Sequence, residues 1–403
     1  MGIVGWCCWA VTFSQSGSGP GEGSLRILTM ARLVASAYSN PSRIAGLDGL
    51  RAVAILSVLV AHGLQASQVH GAVEAKLVAL VTKFGPFGVR LFFAISGYLI
   101  TSRFLDDMKE HGTDGILVRF YIRRAFRIIP PLLPNFLVLT VLAVWSLLPV
   151  TLADIAHAAL FVSNYFPGSR DWVILHFWSL AVEEHFYLFW PPVLAIAGVR
   201  YGKLCAIAVV ILVSGARTVT LMHHPAYEAL GWTHLIIDFL MYAALLALLV
   251  QNHGVRERLR RWSRPIPWAL LFVALIVVDL MTEQVKLLDL RFMEAMIFAL
   301  IVALPTLSPE MAVTRWLGNP YMVWIGKRSY SIYIWQQLLF YPLGFSLLMN
   351  VVTLPVRIAL VFTTAAISYR FIEQPMIQKG RVLERRVESR TAEQVRVSVA
   401  SAD

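Results

Sequence analysis

The sequence predicts an all-α, polytopic transmembrane helix bundle with about ten spanning helices. Hydrophobic residues make up 58% of the 403 residues and charged residues 15%, whereas soluble domains average about 45–50% and about 25%. The mean hydropathy of +0.66 agrees with this composition. A hydrocarbon core of about 30 Å needs about 20 apolar residues per helix, and such runs recur from Leu47 almost to Pro375.

The spans can be placed from the apolar runs and their orientation from the basic connections. We place them near residues 47–67, 86–105, 130–149, 177–198, 203–222, 234–251, 266–282, 292–307, 329–349 and 354–374. The ninth should begin after Lys327 and Arg328, because the stretch 321–349 is too long for one straight span. Connections rich in Lys and Arg alternate with poor ones, so the positive-inside rule places both termini in the cytoplasm.

Three regions follow along the chain. Residues 1–43 are predicted to be a flexible or mis-started N-terminal segment, with Met30 as an alternative start. Residues 44–375 should form the membrane domain, and residues 376–403 a basic, partly helical cytoplasmic tail.

The formal charge of +11 needs no nucleic-acid partner. Basic loops beside the lipid bilayer account for it. Cys7 and Cys8 are adjacent and Cys205 lies in a predicted span, so neither a disulfide framework nor a metal site is expected.

The first span carries two polar residues at different depths. In "LDGLRAVAILSVLVAHG", Arg51 and His62 are eleven residues apart, so they share one helical face and lie about 16 Å apart along the axis. A histidine at membrane depth is either a functional group or bonded to a neighbouring helix. Arg51, taken alone, is more simply an anchor that extends to the membrane surface.

Two further motifs carry arginines. In "GPFGVRLFFAISGYLITSRFL", Ser96 favours helix packing, and Arg90 is either an anchor or a partner for an anionic acceptor. The cluster Arg123, Arg124 and Arg127 in "FYIRRAFRIIPP" is either the inside-positive signal or a clamp for phosphate, whose oxygens suit the planar guanidinium group.

A fourth motif, "HFWSLAVEEHFYLFWPP", places two carboxylates inside an apolar run. Ser179 and Glu183 share a helical face, while Glu184 projects about 100° away. For Glu183 we favour a functional or buried-network role over a lipid-facing one. Tyr187 is more simply an interfacial anchor.

These motifs resemble, in order, those of the acyltransferase 3 family of integral-membrane O-acyltransferases, which modify bacterial surface sugars and some small glycosides. The resemblance runs from about Ile44 to Pro375 and ends with "RSYSIYIWQQ" and "FIEQP". It departs from the family at His185, where glutamine is usual, and at Gln336, where many members have histidine.

The resemblance implies a multi-pass enzyme of the bacterial inner (cytoplasmic) membrane. An acyl-CoA, most commonly acetyl-CoA, would serve as donor substrate and bind Arg51, Arg123, Arg124 and Arg127, with no other cofactor bound. His62 would either remove a proton from the acceptor hydroxyl or carry the acyl group itself, and Glu183 would orient or charge-stabilise it. Supporting or acceptor-side roles would fall to Arg90, Ser96, Ser179, Glu184, Tyr187, Tyr333, Gln336 and Glu373.

The acceptor is predicted to be an extracytoplasmic cell-surface saccharide: a lipopolysaccharide O-antigen, an exopolysaccharide or a lipid-linked sugar. O-acylation of a small glycoside such as a macrolide sugar is the alternative. A transporter or flippase would also need buried charges and basic loops, but the sequence shows no internal repeat to support one.

Overall fold

The structure is a computed structural model that describes residues 45–66, 78, 85–166, 171–223, 231–262, 265–284, 290–341 and 354–400. Of residues 265–266, 283–284 and 390–400 only the backbone is described. All regular structure in these ranges is helical, which confirms the all-α prediction. The described ranges belong to one compact unit that begins at Ala45. The predicted segment 1–43 lies outside the described residues.

The helices are numbered here in chain order. They are α1 (Ala45–Gln65), α2 (Gly85–His111), α3 (Ile116–Val144), α4 (Leu152–Ala159), α5 (Trp172–Leu175), α6 (Phe177–His223), α7 (Thr233–Ile236), α8 (Asp238–Leu249), α9 (His253–Trp262), α10 (Pro265–Gln284), α11 (Arg291–Leu307), α12 (Ala312–Leu317), α13 (Pro320–Phe340), α14 (Leu354–Ser368), a π-helical turn (Tyr369–Glu373) and α15 (Gln374–Ala400).

Four helical stretches in the described ranges are long and apolar enough to cross a membrane. They are Ala45–Gln65, Ile116–Val144, Trp172–His223 and Leu354–Ser389. A fifth follows if α8 and α9, which meet at 113°, count as one broken span. About ten spans, and the side of each terminus, therefore stay predictions. Helix α2 falls short because charged residues such as Arg90 interrupt it, and α11 has only 17 residues.

Two predicted boundaries differ from the structure. The spans near 177–198 and 203–222 lie in one 47-residue helix, α6, which is interrupted at Gly198, where φ is 61°. The expectation that the ninth helix begins after Arg328 is wrong. Helix α13 begins at Pro320, because the side chain of Asn319 accepts hydrogen bonds from two backbone amides and caps it.

Helix α1 is held closely by two neighbours. Gly88 of α2 lies against the backbone carbonyl of Ala54, and Gly326 of α13 lies against that of Asp48, so any larger side chain at either glycine would clash. Such close backbone approach is what small residues permit between membrane helices. Helix α13 runs parallel to α1 and α2 runs antiparallel to it.

The contacts of α1 define two ends of the bundle. We call the end with Asp48, Arg51 and Gly326 the arginine end, and the end with His62 and Gln336 the histidine end. The predicted tail is helical and packs against α3 at the arginine end. There Glu384 of α15 pairs with Arg123 of α3.

Candidate active site

A cavity of about 780 Å³ lies between α1, α2, α3, α6 and α13; we call it the first cavity. Arg51, Arg124 and Arg127 line it toward the arginine end, and Phe92, Ser179 and Tyr333 line it toward the histidine end. Ser96, Glu183, Glu184 and Tyr187 lie between these groups.

Two arginines of the first cavity are held by aromatic rings or by a carboxylate of the same helix. The guanidinium of Arg124 lies 4.9 Å from the ring centroid of Tyr187 and 5.7 Å from that of Phe120. Arg51 pairs with Asp48 on the previous turn at 3.3 Å. Stacking on a ring leaves the planar edge of a guanidinium available for an anion.

Arg123 is placed differently from its neighbours. It pairs with Asp107 of α2 at 2.9 Å and with Glu384 of α15, and it is not among the residues that line the first cavity. One residue step on a helix turns a side chain by about 100°, so Arg124 and Arg127 face the cavity while Arg123 faces α15. Three of the four arginines predicted to bind the donor therefore lie together.

Glu183 forms a hydrogen-bonded triangle with two hydroxyl groups. The Ser96 hydroxyl donates to Oε1 at 3.2 Å, and the Tyr187 hydroxyl donates to Oε2 at 2.9 Å. The two hydroxyl oxygens are 3.0 Å apart. Beside them, Oε1 of Glu184 is buried and has no hydrogen-bond partner among the described residues. The first cavity thus holds negative as well as positive groups.

His62 lies at the histidine end, bonded to another helix. Its Nδ1 is 2.9 Å from Oε1 of Gln336, and its ring meets the edge of Trp172 at 5.6 Å between centroids. With the amide oxygen of Gln336 as acceptor, a neutral His62 carries its proton on Nδ1 and leaves the lone pair on Nε2. The partner of His62 is thus Gln336, and Glu183 bonds Ser96 and Tyr187.

Two hydroxyl groups line the first cavity on the side that faces His62. The hydroxyls of Ser179 and Tyr333 are 2.5 Å apart, and each lies 3.1 Å from the backbone carbonyl of His176. The backbone amide of His176 donates to Gln337 at 3.1 Å. Tyr333 precedes Gln336 by about one helical turn, a rise of about 4.5 Å. The cavity therefore ends one turn short of His62.

The remaining predicted residues lie apart from the first cavity. The carboxylate of Glu373, in the π-helical turn, is buried and accepts from Ser331 at 2.9 Å. Arg90 lines a second cavity of about 510 Å³. The lining of the second cavity also includes Arg217, Arg291, Trp232 and Phe239.

Sequence reasoning missed several residues of the site. Trp172 and Gln337 were not predicted, although two adjacent glutamines inside an apolar helix are a signal for buried partners. Arg217 and Trp232 of the second cavity lie outside the motifs that resemble the acyltransferase 3 family. Among the described residues, no group of three or more His, Cys, Asp and Glu side chains could hold a metal ion.

Comparisons with known proteins bear on this site. The acyltransferase 3 family model, an acyltransferase domain, matches residues 44–372. A protein of Staphylococcus aureus strain COL, with the provisional name O-acetyltransferase SACOL0978, is 28% identical over 375 residues, which cover 85% of this chain and 59% of the relative.

Two further relatives are similar to the same extent. O-acetyltransferase OatA of Staphylococcus aureus strain NCTC 8325 is 27% identical, over 85% of this chain and 58% of the relative. The Bacillus subtilis strain 168 protein YrhL, provisionally named a peptidoglycan O-acetyltransferase, is 26% identical, over 85% of this chain and 56% of the relative. The chain thus spans somewhat more than half of these relatives' length. No solved structure matches it.

Proposed function

The chain belongs to the acyltransferase 3 family, and from this premise we propose that it transfers an acyl group, acetyl in the simplest case, from acyl-CoA to a hydroxyl of a cell-surface saccharide. One observation carries the proposal. The first cavity has arginines at one end and stops one helical turn from His62 at the other.

The donor is proposed to bind with its phosphates at the arginine end. Arg51, Arg124 and Arg127 offer guanidinium groups that suit phosphate oxygens. The pantetheine arm then lies along the cavity, past Phe92 and Tyr333, and brings the thioester toward His62. Arg123 supports this end indirectly, by joining α3 to α2 and α15.

The transfer step uses the lone pair of His62. Its Nε2 takes the proton of the acceptor hydroxyl while the hydroxyl oxygen attacks the thioester carbonyl carbon. A C–O bond forms, the C–S bond breaks, and the proton passes from Nε2 to the departing thiolate. The Gln336 oxygen keeps the Nδ1 proton in place throughout.

A covalent route through His62 is the alternative for the same residues, with Nε2 attacking the thioester first. Incubating the protein with radiolabelled acetyl-CoA and quenching rapidly in denaturant at neutral pH, where an acyl-imidazole survives longer than in acid, distinguishes the routes. Label that remains on wild-type protein and is absent from His62→Ala supports the covalent route. Label on neither supports direct transfer.

Glu183 is proposed to have a different role from the one predicted from the sequence. It binds Ser96 and Tyr187, and Arg124 lies over the same Tyr187 ring. Glu183 also lines the first cavity together with Arg51, Arg124 and Arg127, so its carboxylate offsets part of their positive charge. We propose that it positions Tyr187 and Arg124 for the donor, rather than orienting His62.

The acceptor and the membrane placement complete the proposal. The provisional name of the Bacillus subtilis relative favours peptidoglycan over a lipopolysaccharide as the cell-surface saccharide. A multi-pass placement in the bacterial cytoplasmic membrane, with the arginine end in the cytoplasm, follows the positive-inside rule and puts His62 in the outer half.

The central test is acetyl transfer by the full chain in nanodiscs, with radiolabelled acetyl-CoA and peptidoglycan fragments. His62→Ala should lower the rate by about 10²–10⁴-fold, the usual contribution of a general base. His253→Ala, at an exposed histidine on α9, is the matched control and should keep the wild-type rate. Transfer that survives in His62→Ala, or never occurs in the wild type, would contradict the proposal.

A further inference from the structure

The second cavity combines arginines from three parts of the bundle. Arg90 comes from α2, Arg217 from the second half of α6 and Arg291 from the first residue of α11. Arg90 lies in the second turn of α2 and Arg291 begins α11, so the cavity lies toward the end of the bundle at which these two helices start. It lies on the other side of α2 from the first cavity, because Phe92 and Phe93 line the first and Arg90 lines the second.

Carboxylates behind these arginines hold them in fixed positions. Arg217 is 2% exposed and pairs with Asp238 through two N–O distances of 2.8 Å. Arg90 bonds the buried carboxylate of Glu294 at 2.6 Å and the half-exposed carboxylate of Asp279 at 3.4 Å, both through Nη1, and lies over the Phe239 ring. None of these three carboxylates is among the described residues that line the second cavity. The walls therefore present guanidinium groups, which suit carboxylate or phosphate oxygens.

A row of stacked rings extends from the same cavity. Trp232, which lines it, stacks on His234 at 5.4 Å with 24° between the ring planes. His234 stacks in turn on Tyr165 at 5.8 Å and 11°. Tyr165 is 39% exposed and its hydroxyl lies 3.1 Å from His234 Nδ1. Flat amphipathic rings with polar edges can pack against the C–H face of a sugar while bonding its hydroxyls.

The second cavity is close to the reacting end of the first. Gly231, next to Trp232, lies against the Trp178 ring, where a larger side chain would clash. Trp178 follows His176 by two residues, and its ring meets Phe93 at 6.0 Å. One layer of side chains thus separates the arginines of the second cavity from the segment that supports His62.

We propose that the second cavity binds the acceptor, and that the acceptor is an acidic saccharide whose carboxylate or phosphate meets Arg90, Arg217 and Arg291. This inference rests on the proposed function and specifies its acceptor. An anionic phospholipid could bring the same phosphate, but its acyl chains would make no use of the polar edges of His234 and Tyr165. The sugar is therefore the better fit.

The test measures binding of three sugars to the full chain in nanodiscs. N-acetylmuramic acid carries a carboxylate, N-acetylglucosamine 1-phosphate a phosphate, and N-acetylglucosamine neither. Arg291→Gln removes a charge from the half-buried start of α11, and Trp232→Leu removes the ring. Arg258→Gln, at an exposed arginine of α9, is the matched control.

At least one acidic sugar should bind the wild type about tenfold more tightly than the neutral one, and Arg291→Gln should remove that difference. The acidic sugar that binds more tightly than the neutral one shows whether the site prefers a carboxylate or a phosphate. Trp232→Leu should weaken all three sugars alike, and Arg258→Gln should change none. Equal affinity for all three sugars, or an unchanged preference in Arg291→Gln, would overturn the inference. The inference would also be overturned if Arg291→Gln left the binding of all three sugars unchanged and altered only the binding of phosphatidylglycerol in the nanodisc.

Failure of this inference and failure of the proposed function give different results. If acetyl transfer depends on His62 but Arg291→Gln leaves the KM for the acidic acceptor unchanged, only the second-cavity site is wrong. If the acidic sugars bind as expected but no acetyl-CoA is consumed, the proposed function is wrong and the binding site stands.

Discussion

The two cavities hold their arginines in opposite ways. In the first, Arg124 rests on aromatic rings and Arg51 on a carboxylate of its own helix, while Glu183 and Glu184 face the same space. In the second, the carboxylates stand behind the arginines and come from other helices. The first cavity is therefore suited to a ligand that supplies its own negative charges, and the second is preorganised by the fold.

The largest effect is expected when the buried Arg217–Asp238 pair beside the second cavity is removed. Arg217→Leu should lower the free energy of unfolding by about 3–5 kcal/mol, because the buried Asp238 would lose the guanidinium group that balances its charge. Thermal unfolding of the protein in detergent measures this. The double variant Arg217→Leu/Asp238→Leu should regain most of the loss. A single variant as stable as wild type would show that this pair does not hold the helices together.

Arg124→Gln should act on the ligand rather than on the fold. We expect the KM for acetyl-CoA to rise about tenfold, since a charge-assisted hydrogen bond contributes about 1.5–3 kcal/mol, while the KM for the acceptor stays the same. Steady-state transfer assays with each substrate varied give both constants. An equal rise in both would mean that Arg124 supports the whole site and not the donor.

Glu184→Gln tests the buried carboxylate of the first cavity. Its Oε1 has no hydrogen-bond partner among the described residues, and Glu183 is its neighbour. Replacing its carboxyl by a neutral amide removes the repulsion that two neighbouring carboxylates would exert and should raise the free energy of unfolding by about 1 kcal/mol. Thermal unfolding, compared with the exposed control Glu310→Gln, would detect the shift. Destabilisation would show that the Glu184 carboxyl has a stabilising partner in the folded protein.

The smallest effect is expected at Arg123. Its pairs with Asp107 and Glu384 join α3 to α2 and α15, and the Arg123 side chain is 33% exposed. Pairs that water reaches contribute about 0–1 kcal/mol. Arg123→Gln should leave the KM for acetyl-CoA within twofold while α15 exchanges its amide hydrogens faster. A rise in the KM for acetyl-CoA as large as that of Arg124→Gln would show that Arg123 binds the donor after all.

Helical periodicity predicted some of this arrangement and could not predict the rest. It placed Arg51 and His62 on one helix with a defined spacing, and the apolar runs predicted the all-α class. It could not supply the partners, because Gln336 is 274 residues from His62 and Glu294 is 204 residues from Arg90. Glu183 was paired with His62 for the same reason. Both are polar groups in predicted spans, and only the packing shows that Glu183 bonds Ser96 and Tyr187, while Ser179 and Tyr333 lie on its His62 side.

The glycine contacts of α1 have a consequence for donor choice. Gly88 and Gly326 press against its backbone, so α1 cannot slide along α2 or α13 without breaking both contacts. The axial distance of about 16 Å between Arg51 and His62 is set by α1 itself, and the glycine contacts keep that length in register with the cavity lining from α2 and α13. On the proposed mechanism, a donor is measured against that length: a thioester whose arm is shorter or longer than that of coenzyme A would reach its phosphate site or His62, but not both at once.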